Sequence, residues 1–310
     1  MLLRLSLLGL AAAARAETNA TTVLVFGDSW GDTGPTWKTI RDAFARHGRA
    51  ADVRSAAVGG TTACGWAPSS LVNASRQLFP ELADGPDFVW YTAGGNDISA
   101  SQAYRACSSD AADFAAARAC LSAATAEATA CSAALLGAFF DAFPASQAMQ
   151  CGYDVQCADA AWAHCMDVLE SRAPFCGANV TCANALLVAW QEDLVAPLEA
   201  RFAPRYAGIN VLGAVQVAGG VPGAAVGAPA LDVGAPCEWE TSCVHPTYGT
   251  PAEQAIGDAF WDLYFRDRVS VPPPGGAGGP PAPAPPASGA GASPLAGGVL
   301  ASVGAPLVTV

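Results

Sequence analysis

The stretch Val23-Leu24-Val25-Phe26-Gly27-Asp28-Ser29-Trp30 runs four apolar, β-favouring residues into a glycine–aspartate turn and then a serine. A short apolar run closed by a turn signal reads as a buried strand. A strand that ends by presenting one hydroxyl is a common mounting for a nucleophile. Working outward, Asp52 to Val58 and Phe88 to Thr92 are two more strand candidates. Between the first two strands, Thr36 to His47 carries Trp37, Ile40 and Phe44 at helical spacing, and a second helical stretch surrounds Leu71, Leu78 and Leu82. Strand–helix alternation predicts a parallel sheet covered by helices, a three-layer α/β/α fold. In such sheets function sits at the carboxyl ends of the strands.

Further along, Ala189 to Phe202 predicts a helix and Gly208 to Val217 a fourth strand, with a weak fifth near Leu231. Thr250-Pro251-Ala252-Glu253 has the capping residue, first-turn proline and glutamate of a helix start. Ile256, Ala259, Phe260 and Leu263 would form that helix's buried stripe. Residues 101–187 are alanine-rich and hold Cys107, Cys120, Cys131, Cys151, Cys157, Cys165, Cys176 and Cys182 out of eleven cysteines. No pair there has C-x2-C spacing and His164 stands alone, which argues against a metal site. The stretch reads as a disulfide-stapled helical insertion, and eight cysteines permit four internal bridges of undetermined connectivity.

The net charge of −12 disfavours nucleic acid and anionic membrane surfaces as partners. Residues 1–16 read as a secretory signal, with Arg4, an apolar run from Leu5 to Ala13, and Ala14-Arg15-Ala16 as the cleavage site. The cysteine content suits an exported protein. Asn19, Asn73 and Asn179 open glycosylation sequons. The folded domain would span residues 17–270. Residues 271–310 form a Pro/Gly/Ala-rich tail that cannot build a core, with a lipid-anchor signal as the second reading of its end.

A serine needs a base to become nucleophilic. Of the three histidines, His47 ends a helix and His164 lies among the cysteines, whereas His245 sits in Cys243-Val244-His245-Pro246 just before the last helix. A structural hydrogen bond is the plain alternative for His245. Acyl transfer also needs donors aimed at the developing oxyanion. Val58-Gly59-Gly60-Thr61-Thr62 and Ala93-Gly94-Gly95-Asn96-Asp97 follow the second and third strands and can supply a bare N–H and a side-chain amide. Each alone is an ordinary βα turn.

Taken together, Gly-Asp-Ser after the first strand, glycine after the second, Gly-x-Asn-Asp after the third and His-Pro before the last helix resemble the SGNH, or GDSL, hydrolase family. The resemblance spans Val23 to about Arg268. It implies Ser29 as nucleophile, His245 as base, and an oxyanion hole made by the Ser29 and Gly60 N–H groups and the Asn96 side chain. Asp28 and Asp97 would hold the loops that carry Ser29 and Asn96. Neither a cofactor nor a metal is implied. Ser242 stands where the family places the aspartate that orients the histidine. The expectation is therefore a serine–histidine dyad, with Glu240 the leading acidic candidate beside Glu238 and the more distant Asp232.

Cys237 and Cys243 flank this loop and are expected to pair, with Cys64 as a competing partner. Trp30 and Trp66 could stack on substrate or pack in the core. The substrate would be a lipid acyl ester or an acetylated polysaccharide. The alternative function is a catalytically impaired relative that binds glycan or a surface partner.

Overall fold

The computed structural model describes residues 20–269 except 33–36, 152, 242 and the side chain of Thr241. The expected leader, the Asn19 sequon, Ser242 and the tail 271–310 lie outside the described residues. In chain order the elements are β1 (Thr21–Gly27), α1 (Ser29–Asp32), α2 (Lys38–Arg46), β2 (Ala51–Ser55), α3 (Ser70–Leu78), β3 (Phe88–Thr92) and α4 (Gly95–Ala100). There follow α5 (Gln102–Ser109), α6 (Phe114–Ala142), β4 (Gln147–Cys151), α7 (Ala163–Arg172), α8 (Val180–Phe202), β5 (Tyr206–Ile209) and α9 (Ala214–Ala218). A short hairpin, β6 (Glu240–Thr241) and β7 (His245–Pro246), precedes α10 (Pro251–Phe260).

Among the described residues, β1 to β5 form one all-parallel sheet in the order β2-β1-β3-β4-β5. Its inner strands β1, β3 and β4 are buried on both faces, as the centre of a parallel sheet requires. Val23 and Val25 of β1 pack with Ile40 and Phe44 of α2 and with Ile256 and Phe260 of α10. The alternate residues Leu24 and Phe26 pack on the other face with Leu71 of α3, Phe139 and Phe140 of α6, and Leu198 of α8. Phe139 and Phe140 are almost fully buried, and each contributes about 1.5–3 kcal/mol by leaving water. The expected three-layer α/β/α fold is therefore the observed one.

Three local readings are corrected. The fourth sheet strand lies inside the cysteine-rich stretch, at Gln147–Cys151, while the region of Leu231 carries no strand. The strand expected from Gly208 to Val217 is instead Tyr206–Ile209, because Gly213, at φ +83°, breaks the extended chain and starts α9. In the last helix Leu263 is 50% exposed rather than buried. The helix passes into a π turn at Trp261–Phe265, which shifts its phase and buries Tyr264 and Phe265 instead. The capping box is also not formed: the Thr250 hydroxyl donates to the Thr247 carbonyl.

The disulfides depart from expectation as well. Only Cys107–Cys120 and Cys176–Cys182 lie within residues 101–187. Cys64–Cys131, Cys157–Cys237 and Cys165–Cys243 tie that stretch to the rest of the domain, and Cys151 of β4 is a buried free thiol. Cys237 and Cys243 do not pair with each other. Cys237 precedes the extended β6 and Cys243 sits in the turn beyond it, so the strand holds them apart and each finds a partner in the helical stretch.

Candidate active site

The site is assembled at the carboxyl ends of β1 and β3 and on the hairpin before α10. β1 ends at Gly27, whose φ of +135° and close approach to the Thr92 carbonyl leave no room for a side chain. The next amide, Asp28 N–H, donates to both the carbonyl and the hydroxyl of Thr92. This clasp between β1 and β3 turns the chain sharply and starts α1 at Ser29. His245, buried on β7, brings its Nε2 to 2.8 Å from the Ser29 hydroxyl oxygen. His47 instead stacks on Trp261, with ring centroids 4.4 Å apart, and His164 is exposed on α7. The structure thus brings together Ser29 and His245, and neither of the other histidines.

The two glycine turns meet beside Ser29. Asn96 donates a side-chain N–H to the Thr61 carbonyl at 2.9 Å. Asp97 accepts from the Ala63 and Cys64 amides at 2.7 and 3.2 Å, locking the Asn96 loop to the turn after β2. Gly59 N–H is taken by Asp32 at 2.7 Å, whereas Gly60 N–H has no acceptor among the described residues. Gly60 adopts φ +78° with open space where a side chain would stand. Of the two glycines, Gly60 is the one with a donor left to offer a ligand.

Asp28 lies directly under this machinery and is fully buried. It accepts from Trp30 N–H at 3.1 Å and from the Tyr153 hydroxyl at 2.5 Å. Burial pushes its carboxyl up to about 6, and the hydrogen bonds from Tyr153 and Trp30 only partly oppose that rise. Trp30 is buried between Tyr153 and His245, at centroid distances of 5.2 and 6.3 Å. Trp66 packs on Phe26 at 4.8 Å. Trp30 is thus a packing residue, whereas Trp66 packs on the core while remaining partly exposed.

Glu240 is not brought to His245. In the hairpin Thr241 pairs with His245 and Glu240 with Pro246, so the Glu240 and His245 side chains leave on opposite faces. The Glu240 carboxylate accepts from Cys157 N–H at 2.7 Å, and burial raises its pKa well above the ordinary range. The hairpin is clamped at both ends, by Cys157–Cys237 before it and Cys165–Cys243 at its turn. Sulfurs of Cys157, Cys165 and Cys237 lie within 4.8 Å of one another, yet all three belong to these disulfides.

Sequence reasoning missed Tyr153 and Asp32. Asp32 sits one helical turn after Ser29, a spacing that could have flagged it. Tyr153 reaches the site from just after β4, in a stretch whose local sequence carries no such signal.

No family model and no curated protein matches the chain. Among solved structures it is similar to the lipase Lip_vut3 from a goat rumen metagenome, at 11% identity over 81% of this chain and 100% of that one, with a TM-score of 0.51. It is also similar to phospholipase A1 from Streptomyces albidoflavus NA297, at 17% identity over 77% and 96% with a TM-score of 0.44. The extracellular lipase of Streptomyces rimosus shares 18% identity over 77% and 100%, with a TM-score of 0.40. At these identities the likeness concerns the fold, and the first of the three carries it. The chain shares its three-layer α/β/α fold with that goat rumen lipase.

Proposed function

We propose that this protein is a secreted carboxylic-ester hydrolase that works through an acyl-serine intermediate. His245 Nε2 takes the Ser29 proton as Oγ bonds to the ester carbonyl carbon. The resulting oxyanion is met by the N–H groups of Ser29 and Gly60 and by the Asn96 amide, whose second hydrogen is not needed for Thr61. The imidazolium then protonates the leaving alcohol as the carbon–oxygen bond breaks. Water, deprotonated by the same imidazole, attacks the acyl-serine and releases the acid, restoring both residues.

The observation that carries this reading is the 2.8 Å contact between Ser29 Oγ and His245 Nε2, which is the geometry of a nucleophile and its base. The shared fold supports it, and the lipase name of the goat rumen structure supports an ester substrate. The signal-like residues 1–16 and the disulfides support export. The test is hydrolysis of short p-nitrophenyl esters by the wild-type protein and by Ser29→Ala. The variant should fold and lose turnover; full activity without the hydroxyl would refute the mechanism.

A further inference from the structure

Next to the site lies a cavity of about 70 Å³ whose wall includes Gly95, Tyr153, Leu169 and Trp190. Gly95 adjoins the oxyanion donor Asn96, and Tyr153 packs on Trp30 beside His245. The cavity therefore adjoins the loop that carries Asn96, although Ser29 and His245 are not on its wall. Its lining is mostly apolar, yet Arg172 and Gln156 are also on it. Arg172 closes α7, and its guanidinium lies 5.9 Å from the Tyr153 ring centroid. Among the described residues neither side chain has a hydrogen-bond partner, and Arg172 forms no ion pair. By contrast Asn184, on the same wall, is committed to the carbonyls of Leu231 and Val233.

Arg172 is half-buried, and the partial loss of water lowers the pKa of its guanidinium, a group that favours an anionic partner. The titratable groups that influence Arg172 are Tyr153, Asp28 and Glu240. None of them hydrogen-bonds to it: the Tyr153 hydroxyl and Trp30 N–H occupy Asp28, and Cys157 N–H occupies Glu240. A guanidinium and a carboxamide, neither hydrogen-bonded to another described residue, thus share the wall of a mostly apolar cavity, which matches a ligand carrying anionic oxygens on a short apolar stem. At 10–15 Å³ per water-sized occupant the cavity has room for roughly five small groups.

Resting on the ester-hydrolase reading, we infer that the preferred ester bears an anionic group a few carbons from the scissile bond, bound by Arg172 and Gln156. The group could be on the acyl or the alcohol side, and both can be tested.

The experiment uses the Ser29→Ala protein, which cannot turn substrate over, and measures binding by calorimetry. Monomethyl glutarate is compared with methyl pentanoate for an acyl-side anion. The acetate ester of 4-hydroxybutanoate is compared with pentyl acetate for an alcohol-side one. In at least one pair the anionic member should bind about tenfold or more tightly than its neutral counterpart. Arg172→Met should abolish that preference, Arg172→Lys should retain part of it, and Gln156→Leu should weaken it by a few-fold while leaving the buried charges unchanged. Equal affinity within both pairs, or a preference that survives Arg172→Met, overturns the inference. If Arg172→Met does not fold, the ligand pairs and Gln156→Leu still decide. Because binding is read without turnover, this result is separate from whether Ser29 hydrolyses esters at all.

Discussion

Ser29 and His245 lie 216 positions apart in the chain, yet their Oγ and Nε2 atoms are 2.8 Å apart. The β1–β3 clasp at Gly27, Asp28 and Thr92 fixes one partner, and a twice-bridged hairpin fixes the other. If this pair is the proton-transfer unit, His245→Ala should cut kcat by about 10⁴-fold or more with little change in thermal midpoint. Steady-state kinetics alongside thermal unfolding would check it.

Glu240 separates two accounts of how the imidazole is oriented. Its carboxylate faces Cys157 rather than His245. Glu240→Gln keeps an oxygen to accept from Cys157 N–H, so kcat should stay within a few-fold of wild type. A drop of about 10³-fold or more would restore Glu240 as the orienting acid.

Asn96 should act on the oxyanion more than on ground-state binding. Asn96→Ala is expected to lower kcat by about 10²–10³-fold with KM little altered. Asp97→Ala should instead show its main effect on stability, because it releases the turn held at Ala63 and Cys64. The kcat-against-KM split and urea midpoints of the two variants distinguish the roles.

These expectations show how far the sequence could be read. The motif residues at the ends of β1, β2 and β3 were legible because strand ends are punctuated by glycine and polar residues. β4 was not, because Gln147-Ala148-Met149-Gln150-Cys151 places glutamines where a buried strand usually has apolar side chains. Gln150 is tolerated there because its amide donates to the Ala93 carbonyl and its oxygen accepts from the Tyr206 hydroxyl. Those partners come from other strands and leave no local trace. The disulfide pattern and the Tyr153–Asp28 contact were hidden for the same reason.

The pH dependence of stability follows from buried carboxylates. Asp28 and Asp154 are both held at about 6, above the ordinary 3.8, because burial disfavours their charged forms. The folded protein keeps these protons longer than the unfolded chain does. Their contribution to stability is therefore fully present below about 3.8 and is lost as pH rises through about 6, by at most roughly 3 kcal/mol for each group. Tyr153→Phe removes a hydrogen bond that favours ionised Asp28, so the loss should extend to higher pH. Urea midpoints from pH 4 to 8 would show this; superimposable profiles for the variant and wild type would contradict it.

The bridge Cys165–Cys243 closes a separation of 78 residues and ends two positions before His245. Replacing both cysteines with serine should lower stability by about 2–4 kcal/mol. It should also reduce kcat at temperatures where the variant remains folded. Circular dichroism paired with ester hydrolysis would separate the two effects.

The most direct measurement is labelling of the disulfide-intact protein with a fluorophosphonate, followed by peptide mapping. A serine activated by His245 should form one covalent adduct, located on Ser29, and His245→Ala should suppress it. A folded protein that takes up no label, or is labelled at another serine with Ser29 unmodified, would contradict the account.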